Sequence, residues 1–233
     1  MRRTGVGLVA ALLGLLGPLA GTAAAQEPEC GPPEETVPAT IVGSGTIVGT
    51  AGDDVIVASG GDDVILGLGG DDIICGEGGN DRIIGGPGDD VLVGDGFDLP
   101  PFVASNGAND DTLIGGPGDD LLAGLGGDDT LLGGEGDDVL IGFGGVDRIS
   151  GGPGDDTAFG GPLDDRIDGG SGADVLWGNF GSDTITGGPG DDFIDGDNPN
   201  PVPPDLPFPP GTNVDDCSGG PGANTVLNCE IVR

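Results

Sequence analysis

The chain has almost no residues that carry positive charge or that perform acid–base chemistry near neutral pH. Its 233 residues include no His, no Lys and no Tyr, and all six cationic residues are Arg. With no basic patch to contact phosphate groups, the chain is not expected to bind nucleic acid. No His can serve as a general base, and the GxSxG and HExxH motifs of hydrolases are absent. We therefore expect that the protein is not an enzyme.

Acidic residues dominate instead. The chain has 41 Asp and Glu residues, and its formal net charge is −35 at pH 7. Such an excess of acid is found in disordered acidic chains and in proteins that bind cations. Because 35 % of the residues are hydrophobic, and many of these are Val, Ile and Leu, disorder fits poorly and a cation binder is favoured.

The N-terminus has the layout of a secretory signal peptide. Arg2 and Arg3 precede an apolar run over residues 6–20, and three Ala at residues 23–25 offer a cleavage site. A membrane anchor is the weaker alternative, because the run is short and is broken by Gly and Pro. We predict a signal peptide over residues 1–25, cleavage after Ala25 and an extracellular protein, whose net charge is then 4 − 41 = −37.

The rest of the chain is dominated by a nine-residue repeat. Five units cover residues 49–93 and ten cover residues 106–195, with a twelve-residue insertion at 94–105 between them. The first and fourth positions are each Gly in thirteen units, and the eighth is Ile or Leu in fourteen, with Ala158 as the exception. The fifth is Asp or Asn except at Val146, Ala173 and Ser182. The sixth position is Asp in all fifteen units: Asp54, Asp63, Asp72, Asp81, Asp90, Asp111, Asp120, Asp129, Asp138, Asp147, Asp156, Asp165, Asp174, Asp183 and Asp192.

Each conserved position of the repeat has a physical meaning. Gly permits positive φ and sharp turns, while the last three residues form a short strand whose central side chain points opposite to its neighbours. One such strand buries little alone, but a stack of them forms a continuous inner ladder of Ile and Leu. The repeat therefore predicts an all-β parallel coil of turn, strand, turn and strand.

The stacked aspartates require a counter-charge. Carboxylates on neighbouring turns, about 4.8 Å apart, would repel one another unless cations lay between them. Carboxylate and carbonyl oxygens suit Ca²⁺, whereas Zn²⁺ and copper prefer nitrogen or sulfur donors. Mg²⁺ fits less well because it demands octahedral geometry and releases water reluctantly.

Units such as GGPGDDVLV (residues 85–93) and GGEGDDVLI (residues 133–141) resemble the GGxGxDxUx signature of the RTX, or haemolysin-type, calcium-binding repeat, where U is a large aliphatic residue. The resemblance implies a parallel β-roll with two nonapeptides per turn. It also implies Ca²⁺ ions between turns on the same side, held by the sixth-position carboxylates and by backbone carbonyls of the Gly-rich turns. The glycines implied in this role are Gly52, Gly61, Gly70, Gly79, Gly88, Gly118, Gly127, Gly136, Gly154 and Gly190.

The resemblance also gives a first count of ions. Units two apart pair three times in the first block and eight times in the second, so that at most 11 ions are expected. The turns containing Val146, Leu163, Ala173 and Ser182 depart from the pattern, and whether they bind metal is left open.

The segments outside the repeat are expected to cap it. Residues 26–48 form a lead-in whose TIVGSGTIV looks like a nonapeptide without its acids, and residues 196–210 are a Pro-rich excursion. Residues 211–233 contain a last repeat, GGPGANTVL at 219–227, with Asn224 in place of Asp.

Four cysteines in an exported chain favour disulfides. Cys217 and Cys229 flank the last repeat, so we pair them, which leaves Cys30 with Cys75. The other two pairings remain open.

Alternate units should lie on opposite sheets, with positions seven and nine facing outward. Even-numbered units then carry the three internal Arg and scattered Thr, whereas odd-numbered units present an apolar face that includes Phe159, Trp177 and Phe193. This face is either a surface for a protein or other partner, or simply a row of good strand formers. Its apolar residues are Val55, Val57, Ile73, Cys75, Val91, Val93, Leu121, Val139, Ile141, Phe159, Val175, Trp177 and Phe193.

Together these features predict a secreted calcium-binding protein with a structural, surface or interaction role, which folds on meeting Ca²⁺ outside the cell. A Ca²⁺-dependent adhesin or ice binder is the alternative, although the outward Thr residues form no unbroken row. A third and weaker hypothesis is that the chain is the calcium-binding part of a secreted hydrolase.

Overall fold

The computed structural model describes residues 29–30, 37–95, 109–196, 215–229 and 231–232, with side chains described from residue 39 to residue 229 within these ranges. These residues form twenty-two β-strands. No helix in this part of the chain has the length and hydrophobicity needed to cross a membrane.

The strands are β1 (Glu29–Cys30), β2 (Val37–Pro38), β3 (Ile41–Val42), β4 (Thr46–Val48), β5 (Val55–Val57), β6 (Val64–Leu66), β7 (Ile73–Glu77), β8 (Arg82–Ile84), β9 (Val91–Asp95), β10 (Thr112–Pro117), β11 (Leu121–Gly126), β12 (Thr130–Glu135), β13 (Val139–Gly144), β14 (Arg148–Pro153), β15 (Thr157–Pro162), β16 (Arg166–Ser171), β17 (Val175–Phe180), β18 (Thr184–Thr186), β19 (Phe193–Asp195), β20 (Asp216–Ser218), β21 (Thr225–Leu227) and β22 (Ile231–Val232).

From β3 onward, consecutive strands alternate between two parallel sheets. The odd sheet contains the ten odd-numbered strands β3 to β21 in chain order, and the even sheet contains the ten even-numbered strands β4 to β22. The short strands β1 and β2 form a separate antiparallel pair. Two nonapeptides thus make one coil of a parallel β-roll, which confirms the predicted fold.

The register shows how the insertion is accommodated. Leu113 pairs with Leu131, eighteen residues or two nonapeptides along the chain. Leu113 also pairs with Ile83, which lies thirty residues earlier. The difference of twelve equals the length of the insertion, so the stack of coils continues in register across it.

The eighth-position side chains form the core. They point inward from both sheets and make one continuous cluster from Ile47 to Cys217. Ala158, the one small residue in the series, is buried in the same row. The predicted inner ladder is therefore present along the whole roll.

The roll extends beyond the fifteen units at both ends. Ile47 of β4 pairs with Ile65 and is buried, so the lead-in supplies a coil strand. At the other end Cys217 of β20 pairs with Ile185 and is also buried. A disulfide joins Cys217 to Cys229, as predicted. Cys75 is disulfide-bonded as well, while its predicted partner Cys30 lies in β1, outside the described side chains.

The outer face of the odd sheet is less exposed than its sequence pattern alone predicts. Val57, Cys75 and Val93 are buried, and β1 lies against β5 and β7. Farther along, Ile141 is buried, and Phe159, Trp177 and Phe193 are half-buried. The rings of Phe159 and Trp177 stack with centroids 4.5 Å apart. Large side chains on adjacent strands of the odd sheet thus cover one another. That this face binds a partner stays a prediction.

Candidate metal sites in the turns

A glycine at the first position leaves space for an aspartate carboxylate, and a side chain at this position would occupy that space. An ideal Cβ on Gly67 would collide with Asp72 Oδ2 and would stand 2.6 Å from the carbonyl oxygen of Gly85, one coil along. The same arrangement recurs at Gly142, where a Cβ would collide with Asp147 Oδ2. At most of the first-position glycines, therefore, a carboxylate oxygen and a carbonyl oxygen from the next coil converge on one point beside the glycine.

Glycine is required at the fourth position for a different reason, which is the conformation of the backbone. Gly88 and Gly118 have φ values of 145° and 144°, which side-chain-bearing residues rarely adopt. A Cβ on Gly118 would also strike the carbonyl oxygen of Gly88, because successive turns stack directly on one another. The fourth-position carbonyls, predicted to bind metal, thus face the next turn. The carbonyl oxygens that lie near the aspartate Oδ2 atoms belong instead to first-position residues. These residues were not among the glycines predicted to bind metal.

The sixth-position aspartates form a buried ladder along the turns. The backbone N–H of Asp54 donates to Oδ1 of Asp72 at 2.9 Å, and Asp72 N–H donates in turn to Asp90 Oδ1 at 2.8 Å. The ladder crosses the insertion, since Asp81 N–H donates to Asp111 Oδ1 at 2.7 Å. All fifteen predicted aspartates take part in these ladders, and all are buried.

The second carboxylate oxygen, Oδ2, lacks such a hydrogen bond in most of these aspartates. In twelve of these aspartates Oδ2 is buried and has no hydrogen-bond partner: Asp72, Asp81, Asp90, Asp111, Asp120, Asp129, Asp138, Asp147, Asp156, Asp165, Asp174 and Asp192. A buried, unpartnered carboxylate oxygen is costly unless a cation or a proton compensates it.

Burial has the expected electrostatic effect. Removal from water, together with the charges of neighbouring aspartates, raises the pKa of Asp165 to about 10 and that of Asp129 to about 9. Burial likewise raises the pKa of Asp120 to about 8. Without a counter-ion these carboxyl groups would hold protons near neutral pH, whereas a cation at the turn would keep them ionised.

The fifth position forms a second, exposed ladder that runs in the opposite direction. Oδ1 of Asp53 accepts from Asp71 N–H at 3.1 Å, and Oδ1 of Asp128 accepts from Val146 N–H at 2.9 Å. Val146 therefore still donates to the turn before it, although it offers no carboxylate to the turn that follows. The ladder is interrupted in one direction only.

The irregular turns keep the geometry of the regular ones. Asp147, Asp165, Asp174 and Asp183 are buried and remain in the sixth-position ladder. Leu163 replaces a fourth-position Gly and adopts a φ of 81° to do so. The backbone of these turns is thus retained at the cost of strain at Leu163.

The donor set suits a hard cation. Among the described residues no three His, Cys, Asp or Glu side chains converge into a metal-binding group. Most turns instead combine an aspartate carboxylate oxygen with a backbone carbonyl oxygen from the next coil, which is the oxygen chemistry that Ca²⁺ accepts. The residues present therefore fit Ca²⁺.

One site residue was missed from the sequence, and a second was placed in the last repeat without being counted as part of a site. Asp215 occupies the sixth position of a further unit, where its Oδ1 accepts from Asp183 N–H at 2.7 Å. Asn224 continues the other row by accepting from Asp192 N–H at 2.8 Å. Counting back nine residues from the last repeat, which begins at Gly219, would have placed Asp215 in register.

The comparison with protein families agrees with this geometry. The family model described as RTX calcium-binding nonapeptide repeat (4 copies) matches residues 42–74, 67–98, 105–140, 123–158, 141–176 and 159–194. These overlapping matches cover more than half of the chain. A search of the curated proteins found no match to the chain.

Proposed function

Since the chain belongs to the RTX calcium-binding nonapeptide repeat family, we propose that it is exported from the cell and that its β-roll folds when Ca²⁺ binds between the turns. The proposed role is structural or interactive, without catalysis. The sequence supports export through its N-terminal residues 1–25, and the Cys217–Cys229 disulfide is typical of an oxidising compartment.

One observation carries the coupling of folding to calcium. The row of buried, unpartnered Oδ2 atoms runs along both sets of turns. Bound Ca²⁺ would supply positive charge and coordination to these oxygens. In its absence the folded chain would have to hold many protons or many uncompensated charges in its interior, and both disfavour folding at neutral pH.

The structure raises the expected number of sites. The sixth-position ladder crosses the insertion at Asp81–Asp111 and Asp90–Asp120, and Asp215 extends it at the end. These three links add to the eleven pairs counted within the two blocks of repeats. We therefore propose as many as fourteen Asp–Asp sites rather than 11.

Small-angle X-ray scattering tests the coupling. The 208 residues after the predicted cleavage (233 − 25) should have a radius of gyration near 17 Å, roughly, when folded and as much as about 49 Å when unfolded. We expect the smaller value in Ca²⁺ and a much larger one in chelator or in Mg²⁺. A chain that is equally compact in chelator would contradict the proposal.

A further inference from the structure

One buried carboxylate in the turns lies outside the sixth positions. Asp95, the last residue of β9, is 3 % exposed. Its Oδ2 is buried without a hydrogen-bond partner, like those of the sixth-position aspartates. The nonapeptide pattern does not explain this residue, because it falls within the twelve-residue insertion.

Asp95 lies at a turn that has the geometry of a candidate calcium site. Its neighbour Gly94 takes the place of a first-position glycine, since a Cβ there would collide with Asp111 Oδ2 and stand 2.8 Å from the Gly124 carbonyl oxygen. Oδ1 of Asp95 accepts a hydrogen bond from Asn109 Nδ2 at 2.5 Å. The carboxyl group is thus held next to the point where Asp111 and the Gly124 carbonyl converge.

The electrostatics place Asp95 within reach of the same row of turns. Its charge is the largest neighbouring charge that raises the pKa of Asp111, and it also raises the pKa of Asp81 and Asp129. In the coil before it, the residue at this position is Glu77, which pairs in register with Asp95 but is only half-buried. In the next two coils on this side it is Leu125 or Phe143. This coil therefore has a buried carboxylate at a position where its neighbours have a half-buried one or none.

We propose that the coil interrupted by the insertion contains a Ca²⁺ site with an additional carboxylate from Asp95, and that this site is the tightest in the roll. The inference rests on the proposed function and deepens it. Calcium affinity rises with the number of charged ligands, so a further carboxylate strengthens this site above its neighbours. The coil also spans thirty residues from Ile83 to Leu113 instead of the eighteen of a regular coil. Closing this longer loop costs additional entropy, and a tight site there would offset that cost.

A calcium titration in competition with a chromophoric chelator tests the proposal, because the competition resolves the tightest class of sites. Asp95→Asn keeps the shape of the side chain and can still accept from Asn109. We expect it to weaken the tightest class by about tenfold or more and to leave the weaker classes as they are.

Asp195→Asn is the matched control. Asp195 is also buried and accepts an Asn amide, from Asn228 Nδ2 at 2.6 Å. It differs from Asp95 in its place in the repeat, because it is the ninth residue of its nonapeptide and precedes the turn glycine, Gly196, instead of following it. The tightest class should keep its affinity in this variant. Asn109→Ala removes the hydrogen bond and leaves the Asp95 carboxylate, so it should lose less affinity than Asp95→Asn.

The outcomes are distinct. A tight class that is unchanged in Asp95→Asn, or one that falls equally in Asn109→Ala, would make Asp95 only a hydrogen-bond acceptor and would overturn the proposal. A wild-type chain that binds no Ca²⁺ would instead refute the proposed function itself. If Asp95→Asn folds only at higher Ca²⁺ while Asp195→Asn folds like the wild type, the proposal is supported.

Discussion

The first-position glycines show how closely each turn is constrained at the level of single residues. Their missing side chains leave the point at which an aspartate Oδ2 and a carbonyl oxygen from the next coil converge. The glycine is therefore required by the site and not only by the backbone turn. Other glycines of the repeat, such as Gly52, have open space around them.

Gly67→Ala and Gly52→Ala separate these two roles. The new methyl group at residue 67 would collide with Asp72 Oδ2 and crowd the Gly85 carbonyl, whereas at residue 52 it would meet no atom within 4 Å. We expect Gly67→Ala to lower the free energy of unfolding in Ca²⁺ by about 1–3 kcal/mol and to remove one bound ion. Gly52→Ala should change neither quantity measurably. Chemical denaturation and ion counting by equilibrium dialysis measure both, and equal effects of the two variants would contradict this account.

At the level of the strands, burial alternates within three residues. Leu131 and Leu132 are neighbours in β12, yet Leu131 is fully buried in the core and Leu132 is 39 % exposed on the outer face. Leu131 is one link of the inner ladder that holds the two sheets together. The two residues thus form a matched pair in which only the direction of the side chain differs.

Leu131→Ala should cost about 2–5 kcal/mol of stability in Ca²⁺, because it leaves a cavity between the sheets. Leu132→Ala should stay within about 0.5 kcal/mol of the wild type. Urea denaturation of the calcium-loaded chain measures both changes. Similar losses in the two variants would mean that the eighth position is not the core position.

The elements also show what the sequence could predict. The inner ladder and the aspartate rows repeat fifteen times, so that chance matches average out and the pattern alone defines them. Asp95 occurs once, beside a segment without the repeat, and only the register of the coils shows that it lies at a turn. Asp215 could have been placed by counting back from the last repeat, but the Pro-rich segment before it conceals the unit. The burial of Ile141 on the odd face was not predictable either, since it depends on large side chains from neighbouring strands.

For the whole molecule, the main energetic problem is its charge. The aspartate rows concentrate carboxylates in a low-dielectric interior, and burial raises the pKa of Asp165 to about 10, of Asp129 to about 9 and of Asp111 to about 8. Protons and calcium ions are therefore alternative ways to neutralise the same groups, and they should have opposite dependences on pH.

The pH dependence of the chelated chain follows from these shifts. Because the folded pKa values lie above the ordinary 3.8, the folded state binds more protons than the unfolded state between pH 3.8 and about 10. Lowering the pH from 9 toward 5, roughly, should therefore favour the fold in chelator, while in limiting Ca²⁺ it should displace the ions. Far-UV circular dichroism in chelator at a series of pH values measures the first effect. A chelated chain whose spectrum does not change with pH would contradict the assignment of charge to the buried rows.

The most direct test of the central claim, that calcium between the turns makes the fold possible, is a far-UV circular dichroism titration of the chain after residue 25 with Ca²⁺ and, in parallel, Mg²⁺. At neutral pH under non-reducing conditions we expect a change from coil to β-structure below about 10 mM Ca²⁺, with no such change in Mg²⁺. A chain that is already fully β in excess chelator, or that remains coil at this Ca²⁺ concentration, would show that the aspartate rows do not couple calcium to folding.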